Sequence, residues 1–226
     1  MSLRLFLDSA DPAQWRRWLP GGLFHGATTN PTLLQRAGRR CRPEALAELV
    51  ELARELRCRE LHLQAWGQEA DRLESCGRTL HDLAPERVVV KLPVTGEGSV
   101  AAARLIASGV PVTFTACYEV SQVLIAAALG ARYIAPYLGR IGDQGRDGTA
   151  EVITMHQALR GVGSEVRLLV ASLRQPADLG RLAAAGLDTF TLAPDVVAAL
   201  FGCAATAAAA AVFEQHAAAG GGNASA

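Results

Sequence analysis

Lysine is almost missing from this chain: Lys91 stands alone against 21 arginines. Net charge is missing too, with 22 basic and 22 acidic residues in balance. No single-sign field therefore suggests a nucleic acid or another charged macromolecule as partner. Apolar runs long enough for a membrane span are absent, and the opening run Met1-Ser-Leu-Arg-Leu-Phe-Leu-Asp8 lacks a secretory layout, so a cytoplasmic protein is expected. The five cysteines include no Cys-x-x-Cys pair and the five histidines show no ligand spacing. That pattern argues for reduced thiols and against a zinc site. A G-x-G-x-x-G turn is also lacking after the first strand-like run, where Asp8-Ser-Ala-Asp11 stands instead. An open sheet binding a dinucleotide is thereby disfavoured.

What is present is a regular alternation. Half of the 226 residues are hydrophobic, enough for a sizeable core in one domain. Strand-like runs fall at 3–9, 26–30, 60–65, 87–94, 111–117, 133–139, 166–173 and 189–193. Helical patterns fill the intervals, with apolar residues three and four apart, as in Leu46, Leu49, Val50 and Ala53. Gly109, Gly130, Gly163 and Gly186 stand where those helices would end. Eight strand–helix units predict an α/β fold, a single (β/α)8 TIM barrel over residues 1–202. An alanine-rich C-terminal helix is expected over residues 203–219, packed on the barrel or on a neighbouring copy, followed by a disordered tail over 220–226.

The lone lysine sits in the most apolar of the strand-like runs, Arg87-Val-Val-Val-Lys-Leu-Pro-Val94. Burial disfavours the ammonium form, and a neutral amine can attack a carbonyl to form an imine, which arginine cannot do. Side chains alternate along a strand, so one parity points into a barrel, and polar residues of that parity near the carboxyl ends line the mouth. That rule gathers Asp8, Thr28, Asn30, Gln64, Lys91, Thr115, Tyr137 and Ser172, with His62, Thr113, Tyr133, Thr189 and Thr191 in the same set. His62, a layer deeper, reads as a hydrogen-bonded core histidine rather than a catalyst. Asp8 and Asn30 also have plain readings, as a helix cap and a turn opener before Pro31. Beyond the mouth, Arg140 and Arg174 with the Ser172 hydroxyl make a plausible phosphate cradle.

The runs Leu7-Asp8-Ser-Ala-Asp11, Gly26-Ala-Thr-Thr-Asn-Pro31, Val90-Lys91-Leu-Pro-Val-Thr95, Ala135-Pro-Tyr-Leu-Gly-Arg140 and Ala171-Ser172 resemble the small transaldolase and fructose-6-phosphate aldolase family, in order, over roughly residues 3–215. The resemblance implies a TIM barrel, cofactor-free class I chemistry on sugar phosphates with Lys91 as the Schiff-base amine, and a homo-oligomer, often a pentamer or decamer. It also implies that Asp8 and Asn30 meet substrate hydroxyls, with Asp8 active in proton transfer. Thr115 and Gln64 would hold a catalytic water, and Thr28 would shape the site. Ser172, Arg140 and Arg174 would receive the phosphate. Relatives acting as transaldolases carry Glu at the position of Gln64 and Phe at that of Tyr137. The aldolases carry Gln and Tyr, as here. The expectation is therefore an aldolase that cleaves or forms fructose 6-phosphate from dihydroxyacetone and glyceraldehyde 3-phosphate. A true transaldolase is the alternative. The chain departs from the family at Arg140-Ile-Gly142-Asp143, where Gly142 replaces the usual Asp and Asp143 is the nearest substitute. A noncatalytic sugar-phosphate-binding barrel, for which Lys91 would be dispensable, is the reading from another functional class.

Overall fold

The computed structural model describes residues 2–220, so the tail expected over 220–226 lies, apart from Gly220, outside the described residues. Eight parallel strands form one sheet: β1 (Arg4–Asp8), β2 (Gly26–Thr28), β3 (Glu60–Gln64), β4 (Val88–Pro93), β5 (Val112–Cys117), β6 (Tyr133–Pro136), β7 (Arg167–Leu168) and β8 (Thr189–Leu192). Each pairs with its sequence neighbour as far as β7, and β8 pairs with β1. The ring closes just past β7, where Val170 donates its N–H to Thr189 O at 3.0 Å and accepts from Thr191 N at 2.9 Å. With helices between the strands, this is the (β/α)8 barrel that the alternation predicts.

Strand periodicity sorts the core into two shells. Phe6, Val89, Tyr133, Ala135 and Leu169 cluster inside the barrel. Their chain neighbours Leu5, Leu7, Val88, Val90, Ile134 and Leu168 join the larger cluster between barrel and helices. Two residues apart means one face, so Asp8, two past Phe6, and Lys91, two past Val89, are carried to the interior at the carboxyl end. The helix Pro43–Glu55 buries the stripe Leu46, Leu49, Val50 and Ala53 against the sheet. Gly130 ends the helix Gln122–Leu129 at φ 71°, a conformation that a Cβ would strain.

Departures from the expected elements lie at the mouth. The strand expected over 133–139 stops at Pro136, and a short helix, Leu138–Asp143, begins after Tyr137. Gly139 pins that turn by donating its N–H to Ser172 O at 3.0 Å. In β5, Ala116 adopts φ 57° and the pairing with β6 shifts between Phe114 and Cys117. This bulge leaves Thr115 facing the mouth while Cys117, of the same parity, turns into the outer core. Other short helices, Pro12–Trp18, Pro31–Arg36 and Pro194–Leu200, also follow strands and start on proline. The C-terminal helix Ala204–Gly220 buries no side chain over 204–219. No single helix among the described residues is long and apolar enough to cross a membrane.

Candidate active site

Lys91 is 4% exposed, and its Nζ donates to the carbonyl of Thr29 at 2.8 Å. Burial pulls its pKa below the ordinary 10.5, and the nearby Asp8 carboxylate offsets part of that fall. A single hydrogen bond to a backbone carbonyl fixes the amine's direction without holding it charged, as a carboxylate contact would. The lowered pKa favours the uncharged form of the amine, the form able to act as a nucleophile.

Around it, adjacent strands supply polar groups at one level. Thr28 Oγ1 donates to Asp8 Oδ1 at 2.6 Å and lies 2.6 Å from Thr191 Oγ1, linking β1, β2 and β8. Asp8 caps no helix: Asp11 accepts from Ala13 N instead. Gln64 is the register partner of Lys91 across β3 and β4, so the two side chains leave neighbouring strands on the same face. Thr115 Oγ1 and Tyr137 OH are 2.8 Å apart. The Tyr137 ring packs edge-on against Tyr118, with a centroid distance of 5.7 Å, and carries the Arg140 guanidinium 4.7 Å from its centroid.

A cleft of about 200 Å³ opens over these groups at the carboxyl end, lined by Asp8, Asn30, Lys91, Tyr137, Arg140, Ser172 and Arg174 among others. Asn30, expected to open a turn before Pro31, instead caps a helix from a position on the cleft wall. Its Oδ1 caps the helix Pro31–Arg36 by accepting from Leu33 N at 2.9 Å, and the residue still lines the cleft. Ser172 is held at φ 58°, a left-handed conformation uncommon outside glycine. One residue past Gly142, Asp143 Oδ2 lies 2.5 Å from Arg174 Nη2, and this contact holds the Asp143 carboxyl below its usual pKa. The structure thus gathers Asp8, Asn30, Lys91, Tyr137, Arg140, Ser172 and Arg174 in one cleft, with Thr28, Gln64 and Thr115 on the strands beneath.

His62 is fully buried, with Nδ1 3.0 Å from Thr113 Oγ1, and burial pushes its pKa down to about 4. It is the neutral core histidine expected. Two groups escaped the sequence reading. Glu60 is a buried carboxylate sharing the parity of His62 and Gln64, a signal that was there to use. Arg36 lines the cleft from the last turn of the helix that Asn30 caps. A separate cavity of about 880 Å³ opens beside Arg4, Arg132 and Arg167 and shares no residue with this cleft.

Comparison with known proteins gives this geometry a lineage. A protein named probable transaldolase from Phenylobacterium zucineum is 34% identical over 199 residues, covering 88% of this chain and 89% of that one. One named probable transaldolase 2 from Listeria monocytogenes is 35% identical over 190 residues, covering 84% of each. Among solved structures, a flavocytochrome b2 mutant with pyruvate bound superposes with a TM-score of 0.59 at 12% identity, covering 86% of this chain and 57% of that one. That likeness concerns the barrel alone, and the chain spans little more than half of the larger protein. The family model described as Transaldolase/Fructose-6-phosphate aldolase matches residues 5–223, a span holding every residue of the cleft. A buried strand-four lysine under a rim of arginines thus sits in a chain that belongs to the transaldolase and fructose-6-phosphate aldolase family.

Proposed function

We propose that this enzyme is a class I Schiff-base catalyst that takes a dihydroxyacetone unit from a ketose phosphate and passes it to an aldose phosphate, a transaldolase reaction. The observation that carries the proposal is the sole lysine, buried at the carboxyl end of the barrel with its pKa lowered. The neutral amine adds to the ketose carbonyl, and loss of water from the carbinolamine gives the iminium. The iminium accepts the electron pair of the breaking carbon–carbon bond, so an aldose phosphate leaves and an enamine remains on Lys91. Asp8 and Asn30 hold the hydroxyls, with Asp8 taking and returning protons, while Arg140, Arg174 and Ser172 hold the phosphate. Gln64 and Thr115 position the water that hydrates and dehydrates the imine carbon, and Thr28 keeps Asp8 in place. The chemistry needs no cofactor, because the iminium is the electron sink.

The names of the curated relatives support transfer as the fate of the enamine. A second reading, release of free dihydroxyacetone from fructose 6-phosphate, is supported by Gln64 and by the Tyr137 phenol 2.8 Å from Thr115, a group able to protonate the enamine. Two assays separate the readings. Borohydride reduction with fructose 6-phosphate should add a sugar fragment to Lys91, seen by peptide mass, and Lys91→Met should lose both the adduct and all turnover. An unlabelled Lys91 would sink the Schiff base. Glyceraldehyde 3-phosphate formed only when erythrose 4-phosphate is supplied marks the transaldolase. Its release without any acceptor, cut roughly a hundredfold in Tyr137→Phe, marks the aldolase.

The helix Ala204–Gly220, exposed over residues 204–219 with Phe213 69% exposed, supports a homo-oligomer in which it seats on a neighbouring copy; the pentamer or decamer remains what the family resemblance implies. Five unpaired thiols are consistent with a reducing, cytoplasmic setting.

A further inference from the structure

We propose that the amino-terminal mouth of the barrel, opposite the lysine, is a second site that binds a phosphate group, free or on a small ester. Five of the eight strands are entered through arginine: Arg4 and Arg167 open β1 and β7, and Arg59, Arg87 and Arg132 immediately precede β3, β4 and β6. Four of these, Arg4, Arg59, Arg87 and Arg132, line a pocket of about 190 Å³ together with His25. That is room for a phosphate and several waters, at about 30 Å³ per water.

The carboxylates at this mouth fall short of the guanidiniums. Glu60 serves two of them, with Oε1 3.2 Å from Arg4 Nη1 and 2.8 Å from Arg132 Nη2. Glu86 is divided between Arg87, at 3.5 Å, and Arg54 outside the pocket, at 3.6 Å. Arg59 makes no ion pair and no side-chain hydrogen bond among the described residues. Arg87 gives one Nη to the Cys58 carbonyl, which leaves most of its fork uncommitted. Among the described residues, two buried side-chain nitrogens lack a hydrogen-bond partner, His25 Nε2 and Arg87 Nε, and both belong to this pocket. His25 Nε2 is 3.1 Å from Glu60 Oε1 without the alignment of a hydrogen bond. An oxyanion with several acceptor atoms suits the unpaired Arg59 guanidinium and the free end of the Arg87 fork, whose geometry matches it.

The test is calorimetric titration of the full chain carrying Arg36→Ala, Arg140→Ala and Arg174→Ala, which removes the arginines of the lysine-end cleft from the measurement. Inorganic phosphate and glycerol 3-phosphate are the two probes. One saturable equivalent is expected, weakened at least about tenfold by Arg59→Ala and by Arg87→Gln, the effect of losing one charge-assisted contact. Equal affinity for the two probes identifies the free anion as the ligand, and tighter binding of the ester identifies a phosphorylated metabolite. Arg59 is exposed, so its variant should keep the native circular dichroism even if Arg87→Gln does not. No saturable binding, or binding indifferent to Arg59→Ala, overturns the proposal.

Discussion

At the residue scale, the buried amine on which the proposed chemistry rests also carries a stability cost. A lysine whose folded-state pKa lies below its unfolded value binds fewer protons when folded, so stability rises with pH between the two values. The full penalty applies below the folded one. Burial lowers the pKa of Lys91 from 10.5, so Lys91→Met, of similar length and uncharged, should raise the Tm at pH 7. The gap should narrow as pH climbs toward 10.5. Melting curves of both proteins across that range would check this, and a variant no more stable than the native chain at pH 7 would refute it. The thiols give an independent check on burial. Burial pushes Cys117 up to about 12 and Cys58 up to about 11, whereas hydrogen bonds from Thr206 and Ala205 lower exposed Cys203. Iodoacetamide near pH 7.5 should therefore modify Cys203 first and leave Cys117 and Cys58 untouched until unfolding, as read by peptide mass mapping. Cys117 is thus a packing residue, although it lies two positions from Thr115.

At the scale of elements, β2 shows how tightly the strands set the site. A Cβ on Gly26 would sit 1.8 Å from the carbonyl oxygen of Glu60 in the adjacent strand. Gly26→Ala should therefore destabilise the protein by about 3 kcal/mol or more, beyond the common range for overpacking. It should also impair catalysis, because Thr28 and its bond to Asp8 move with β2. Urea midpoints together with kcat would register both effects. These elements also mark what could be read in advance. Short β-rich runs placed all eight strands, and parity within them put Asp8, Thr28, Gln64, Lys91 and Thr115 on the inner face. The helices Pro31–Arg36, Leu138–Asp143 and Pro194–Leu200 span too few turns to show a periodicity, so Arg36 stayed unnoticed on one of them. Glu60 stayed unnoticed because a carboxylate at a strand start reads as solvated, when it in fact receives Arg4, Arg132 and Tyr133 within the barrel. The left-handed turn at Ser172 depends on contacts with Gly139 that no local pattern encodes.

At the scale of the whole molecule, the C-terminal helix buries no side chain against the barrel over residues 204–219. Residues 202–219 are exposed throughout, so removing residues 203–226 should leave the monomer's core untouched. We expect the truncated chain to keep a cooperative melt while its mass by light scattering falls to that of a monomer; an unchanged assembly would show that the helix is not the joint. The surface as a whole carries a further consequence of the single lysine. Reducing sugars and small aldehydes glycate proteins by condensing with exposed ε-amino groups. Here nearly every surface cation is a guanidinium that cannot form such an imine, and the one ε-amino group lies 4% exposed within the barrel. A catalyst working among carbonyl compounds is thereby spared stray condensation on its own coat.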